Sequence, residues 1–157
     1  MPHLIIEYSS NLESRIDLDG LMDRLHAAAL ETGVFPIGGL RVRAHAAEHY
    51  RIADNHPDNG FVHVTALIGH GRPLDVRQQA GQHLFDVLTE HLEGLYRQAP
   101  LAVSFNVQEF HPDLNFKRNN LHEYVVARRE AGHEIDDADV ATEVGGKRTV
   151  TKKPRQA

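Results

Sequence analysis

The second residue carries the most unusual chemistry in the chain. The sequence begins MPHLIIEY, and methionine aminopeptidases remove Met1 when the next residue is small, as proline is, so the mature chain is expected to begin at Pro2. Its nitrogen would then be a secondary amine on a rigid ring. Such a group can act as a base or a nucleophile, as side-chain amines do. The alternative is a proline that only starts a strand, where its missing N–H costs little. Histidine is the other abundant reactive group, with twelve copies spread from His3 to His133. Only His45 and His49 share a spacing that a helix would turn into a ligand pair, and no HExxH arrangement goes with them. The absence of cysteine excludes thiolate chemistry, disulfides and cysteine metal sites. The histidines therefore read as structural or solvated, with no metal site.

At 157 residues the chain is long enough to bury a core of its own as one domain. No apolar run approaches the roughly 20 residues of a membrane-spanning helix, and the start lacks the basic and apolar blocks of a secretory leader. With no cysteine, this suits the cytoplasm. The formal charge of −5 argues against nucleic acid as a partner. That charge is unevenly placed. Residues 1–127 hold ten Lys/Arg against sixteen Asp/Glu, with Lys117 the only lysine, whereas residues 128–157 hold seven against six. The second stretch has few large apolar residues to offset its ordering entropy. It is expected to be a mostly disordered, charged tail behind a domain of residues 1–127.

Two similar units make up that domain. HLIIEY reads as a strand, and DLDGLMDRLHAAALETG as a helix capped by Asp17 or Asp19, with Leu21, Leu25 and Ala28 inward. GLRVRAHA reads as a strand with Leu40, Val42, Ala44 and Ala46 on one face and Arg41, Arg43 and His45 on the other. GFVHVTALIG, PLDVRQQAGQHLFDVLTEHLEGLYRQ and LAVSFNVQEF repeat the order, with Ala80, Leu84, Leu88, Leu92 and Leu95 on the inner face of the second helix. Right-handed crossovers then make each unit a parallel β-α-β pair. The fold class is α+β, an α/β sandwich: a four-stranded mixed sheet with both helices on one face. The other face would be bare, which favours oligomerisation.

Pro2, the doubled body and GHGRPLDVRQQAGQHLF together resemble the tautomerase superfamily, whose members use an amino-terminal proline as an acid–base group. Within it, PHLIIEYSSNL, TGVFPIGGLRVRAH, FVHVTALIGHGR, RQQAG and HPDLNFKRNNLH resemble the 5-carboxymethyl-2-hydroxymuconate isomerase family, in register from Pro2 to about Val125. The resemblance implies a tautomerase-like fold and a homotrimer whose sheets face one another about a threefold axis. It also implies a cofactor-free keto–enol isomerisation in the bacterial breakdown of homoprotocatechuate, an aromatic acid. The substrate would be a small enol bearing two or three carboxylates. Pro2 would shuttle the proton. Arg41 would bind a carboxylate, and Arg72 a second carboxylate or the developing oxyanion, because the planar guanidinium meets such groups with two parallel bonds. Arg43 shares Arg41's face, and Phe116 lies in the shared phrase NFKRNN, where it would border the substrate or pack on a neighbouring subunit. Lys117 is a poor prospect for Schiff-base chemistry, and His63 reads as a hydrogen-bonded sheet residue. One departure stands out: Pro73 replaces the serine that often opens the second helix, so a backbone or Asp75 contact must serve as cap. Other enol substrates, of the 2-hydroxymuconate or phenylpyruvate type, and a non-catalytic binding or signalling role on the same trimer, remain alternatives.

Overall fold

The computed structural model describes residues 1–132. Strand β1 (His3–Ser9) leads through a short 3₁₀ turn to helix α1 (Leu18–Glu31) and strand β2 (Arg41–Ala47). The order recurs as β3 (Gly60–Ile68), α2 (Leu74–Tyr96) and β4 (Leu101–Glu109), followed by α3 (Leu121–Glu130). The strands lie in the order β2-β1-β3-β4. β1 is parallel to β2, β3 is parallel to β4, and the two pairs meet antiparallel along β1 and β3. The mixed sheet of two β-α-β units read from the sequence is the one observed.

Period-two alternation decides which face of the sheet is buried. Leu4, Ile6 and Tyr8 of β1 and Val62, Val64, Ala66 and Ile68 of β3 are buried against the helices. α1 contributes Leu21, Leu25, Ala28 and Ala29, and α2 contributes Ala80, Leu84, Leu88 and Leu92, with Leu95 half-buried behind them. Removing one of these leucines to alanine would cost about 2–5 kcal/mol, from lost transfer energy and the cavity left behind. The Asp17 carboxylate caps α1 by accepting from the Gly20 N–H at 3.0 Å. α2 begins after Pro73 with no side-chain cap hydrogen bond, so of the two contacts expected there Asp75 does not supply one, and the Arg77 N–H donates to the Pro73 carbonyl at 3.2 Å.

The opposite face of the sheet is less apolar than a bare face suggests. In register across the four strands run Arg41, His3, Leu67 and Gln108, then Arg43, Ile5, Thr65 and Asn106, then His45, Glu7, His63 and Ser104. The His63 ring bonds through Nδ1 to Ser104 Oγ at 2.7 Å and through Nε2 to Thr65 Oγ1 at 3.1 Å. His45 lies on β2 rather than a helix, so the ligand pair with His49 that a helix would create is not formed. α3 crosses the boundary expected at 127/128, and most of the expected tail, residues 133–157, lies outside the described residues. No helix among the described residues is long and apolar enough to cross a membrane.

Candidate active site

Pro2 directly precedes β1, and the sheet anchors it: the Arg41 N–H donates to the Pro2 carbonyl at 3.2 Å. The residue is buried. Its ring lies against the turn between α1 and β2, where the N–H groups of Gly39 and Leu40 both donate to the Pro36 carbonyl, at 2.8 and 3.0 Å. A Cβ on Gly39 would stand 3.2 Å from Pro2 Cδ and 3.3 Å from Pro36 Cγ, so the turn packs this closely because the residue there has no side chain.

The same turn holds Arg41, whose Nη1 donates to the Gly39 carbonyl. Arg72 reaches the region from the other unit. Its Nη1 donates to the Gly69 carbonyl at 3.1 Å and its Nη2 to the Val34 carbonyl at 2.9 Å, which ties the end of β3 to the α1–β2 connection. The loop that presents it turns at Gly71, whose φ of +99° suits glycine and few other residues. Glu109, the last residue of β4, holds that turn. Its Oε1 accepts from the Gly71 N–H at 3.1 Å, and its Oε2 accepts from Arg77 Nη1 at 2.8 Å with His70 Nδ1 at 3.9 Å.

The charges around the terminus act in one direction. Burial, then the positive charges of Lys117, Arg41 and Arg72, hold the Met1 amino group below the usual range for such a group. Each of these effects disfavours a further cation. Burial and the neighbouring Arg43 and Arg41, with the terminal amine, likewise hold the His3 imidazole below its usual range. Neutral His3 accepts from Arg43 Nη1 at Nδ1, 3.0 Å away, which leaves its proton on Nε2, and its ring meets Phe110 edge to face.

The structure therefore brings Pro2, Arg41 and Arg72 together. Arg43 is on the same face, two residues along β2 from Arg41, with its guanidinium engaged by His3. Phe116 is 89% exposed, and the charge of its neighbour Lys117 acts on the terminal amine. The segment that carries both residues is fixed to the α1–β2 turn: Asn119 Nδ2 donates to the Gly38 carbonyl at 2.7 Å, and His122 lies over Gly38. Sequence reasoning considered Lys117 only as a Schiff-base residue. Its solitary standing as the one lysine in 127 residues was the available signal. His3 and Glu109 had no signal, because their roles arise from sheet register. A separate groove of about 510 Å³, lined by Leu74, Arg77, Phe85, Val103, Phe105 and Val107 among others, runs between α2 and edge strand β4 and includes none of the arginines or Pro2 at the candidate site.

Paired β-α-β units joined in one four-stranded mixed sheet are the architecture of the tautomerase superfamily. Within that superfamily, the chain belongs to the 5-carboxymethyl-2-hydroxymuconate isomerase family, which matches residues 2–125. It is 43% identical over 122 residues to the 5-carboxymethyl-2-hydroxymuconate Delta-isomerase of Escherichia coli, an alignment covering 78% of this chain and 97% of that one. The crystal structure of a 5-carboxymethyl-2-hydroxymuconate isomerase from Deinococcus radiodurans superposes with a TM-score of 0.73 at 37% identity, over 79% of this chain and 93% of that one. A likeness in fold alone, at 15% identity and a TM-score of 0.50 over 75% of this chain and 92% of the other, is to a fused protein described as a symmetric trimer.

Proposed function

We propose that the protein isomerises 5-carboxymethyl-2-hydroxymuconate, the dienol named by its family, to the conjugated oxo-acid, with Pro2 as the proton shuttle and no cofactor in any step. The observation that carries this reading is the chain terminus set beside a buried proline and three cations. The substrate is an anion with three carboxylates, whereas the protein has a formal charge of −5, so binding requires cations gathered in one place. Once Met1 is removed, the amine moves one residue inward, to Pro2. Burial and the same three cations act on it there in the same direction, favouring the free base over the ammonium.

The step balances without a co-reactant. The Pro2 amine takes the hydroxyl proton, and the electron pair of the O–H bond becomes the new C=O. The double bonds shift along the chain, and the ammonium returns its proton to the remote carbon. Charge develops on the substrate oxygen as the O–H bond breaks. Arg72, held by two carbonyls, can meet that oxyanion or a carboxylate without reorganising, and Arg41 holds a carboxylate. Arg43 supports this positive face, and Phe116 covers the mouth of the site. The ring of Pro2 keeps the nitrogen in one direction, which aids alignment with the carbon that accepts the proton.

A homotrimer completes this reading. It is supported by the exposed sheet face, which carries Ile5, Phe61 and Leu67 among its polar residues, and by the trimeric fold neighbour described above. A cytoplasmic setting accords with a chain that contains no cysteine. The test is direct: purified protein is mixed with 5-carboxymethyl-2-hydroxymuconate and the dienol absorbance is followed. Decay well above the spontaneous rate is the expected result; decay at the spontaneous rate would reject the substrate.

A further inference from the structure

Two of the three cations beside the terminus are already fixed by backbone. Arg41 is bonded to Gly39, and Arg72 to Gly69 and Val34. Lys117 differs from both. It is exposed, and no carboxylate pairs with it among the described residues. It comes from neither β-α-β unit but from the segment between β4 and α3. That segment is anchored close by, since Asn119 bonds to Gly38 and Gly39 lies against the Pro2 ring. Lys117 thus stands two residues before an anchor on the turn that flanks the reactive nitrogen.

The number of cations has a chemical meaning. In the arrangement where Arg72 holds a carboxylate, Arg41 and Arg72 meet the two carboxylates of a simple muconate, Arg43 being engaged by His3. A third cation is needed only when a third carboxylate is present. An ammonium on a four-carbon stem, a compact point charge with three rotatable donors, suits a carboxylate carried on a flexible methylene arm better than a rigid fork does. We propose that Lys117 is the specificity-determining residue that binds the carboxymethyl carboxylate and so selects a tricarboxylate dienol over a dicarboxylate one. This inference rests on the isomerase reading above and assigns its substrate preference to one side chain.

The experiment measures kcat/KM for two dienols, 5-carboxymethyl-2-hydroxymuconate and the same compound without its carboxymethyl group, 2-hydroxymuconate. Both are assayed on the alkaline plateau, where the amine is free base in every variant. Lys117→Met is expected to lower kcat/KM for the tricarboxylate about tenfold or more, the scale for losing a hydrogen bond to a charged group. The dicarboxylate should change by less than about threefold, and Lys117→Arg should restore most of the preference. An equal fall with both substrates, or no fall with either, overturns the assignment while leaving the isomerase reading in place. If the unaltered protein converts neither dienol, the isomerase reading itself fails, and the role of Lys117 with it. Because Lys117 is exposed, folding of the variants is not at stake, and circular dichroism checks that point.

Discussion

At Pro2 the rate depends on how much free base exists at working pH. An ordinary α-amino group titrates at about 7.7–8.0. Burial and three cations hold the Met1 amine below that range, and they act in the same direction on the Pro2 amine once Met1 is removed. A base with a lowered pKa is half deprotonated at a lower pH, so the acid limb of kcat/KM should have its midpoint below that of an exposed amino-terminal proline. Lys117→Met removes one of the charges that lower it, and the midpoint should therefore move up. A pH–rate profile of both proteins checks the direction; a midpoint that stays put would remove Lys117 from the field of the amine. Arg41→Ala should cost about 2–4 kcal/mol in kcat/KM, the scale for leaving a desolvated charge without its partner. Unchanged kinetics would take Arg41 out of the site. Of this group, position alone left Pro2 open as a proline that only starts a strand, and the resemblance singled it out as the reactive amine. Arg41 and Arg72 were legible through resemblance. That Arg43 would face His3 was not, because their contact depends on the parallel register of β1 and β2, forty residues apart in sequence.

Between elements, the site depends on two backbone turns and on what holds them. Glu109 links the end of β4 to the turn that presents Arg72 and to Arg77 on α2. Glu109→Ala should loosen that turn and lower kcat/KM about tenfold, the scale for a misplaced positioning group, whereas Glu109→Gln keeps an acceptor for the Gly71 N–H and should recover much of the loss. Steady-state kinetics on both variants, beside a thermal melt, separates loss of positioning from loss of fold. The α1–β2 turn makes the second case. A Cβ on Gly38 would stand 2.8 Å from the His122 Cα, so Gly38→Ala must push the start of α3 away. It should cost about 1–3 kcal/mol in stability, as overpacking does, read from the denaturant midpoint. The strands and the first two helices were readable because each buries one face and repeats its apolar residues with the matching period. α3 was not, because it buries no residue and its sequence, LHEYVVARRE, shows no apolar stripe.

For the whole molecule, the open question is what meets the exposed face of the sheet. The sequence reading left that face bare, with Arg41, Arg43 and His45 on its β2 strand, and took the bareness to favour oligomerisation. The structure shows rows of arginine, histidine, glutamate and serine there, with a few apolar residues between them. A polar, hydrogen-bonded face fits subunits that pair by matched groups as well as by apolar burial. Light scattering behind a sizing column should give about three times the 17.6 kDa chain mass. A monomer at assay concentration would reject the trimer. Because α3 continues to Glu130, a fair truncation removes residues 133–157, and it should leave both mass ratio and turnover unchanged. The measurement closest to the central claim compares the initial rate of dienol conversion by the unaltered protein and by Pro2→Ala, with mass spectrometry showing Met1 absent from both. Alanine also permits removal of Met1, so a terminal amine remains and only the proline ring and its secondary nitrogen are lost. A fall in kcat of at least about a hundredfold, the scale of general acid–base catalysis, is the predicted result; an unchanged rate, or an active protein that keeps Met1, would contradict the role assigned to Pro2.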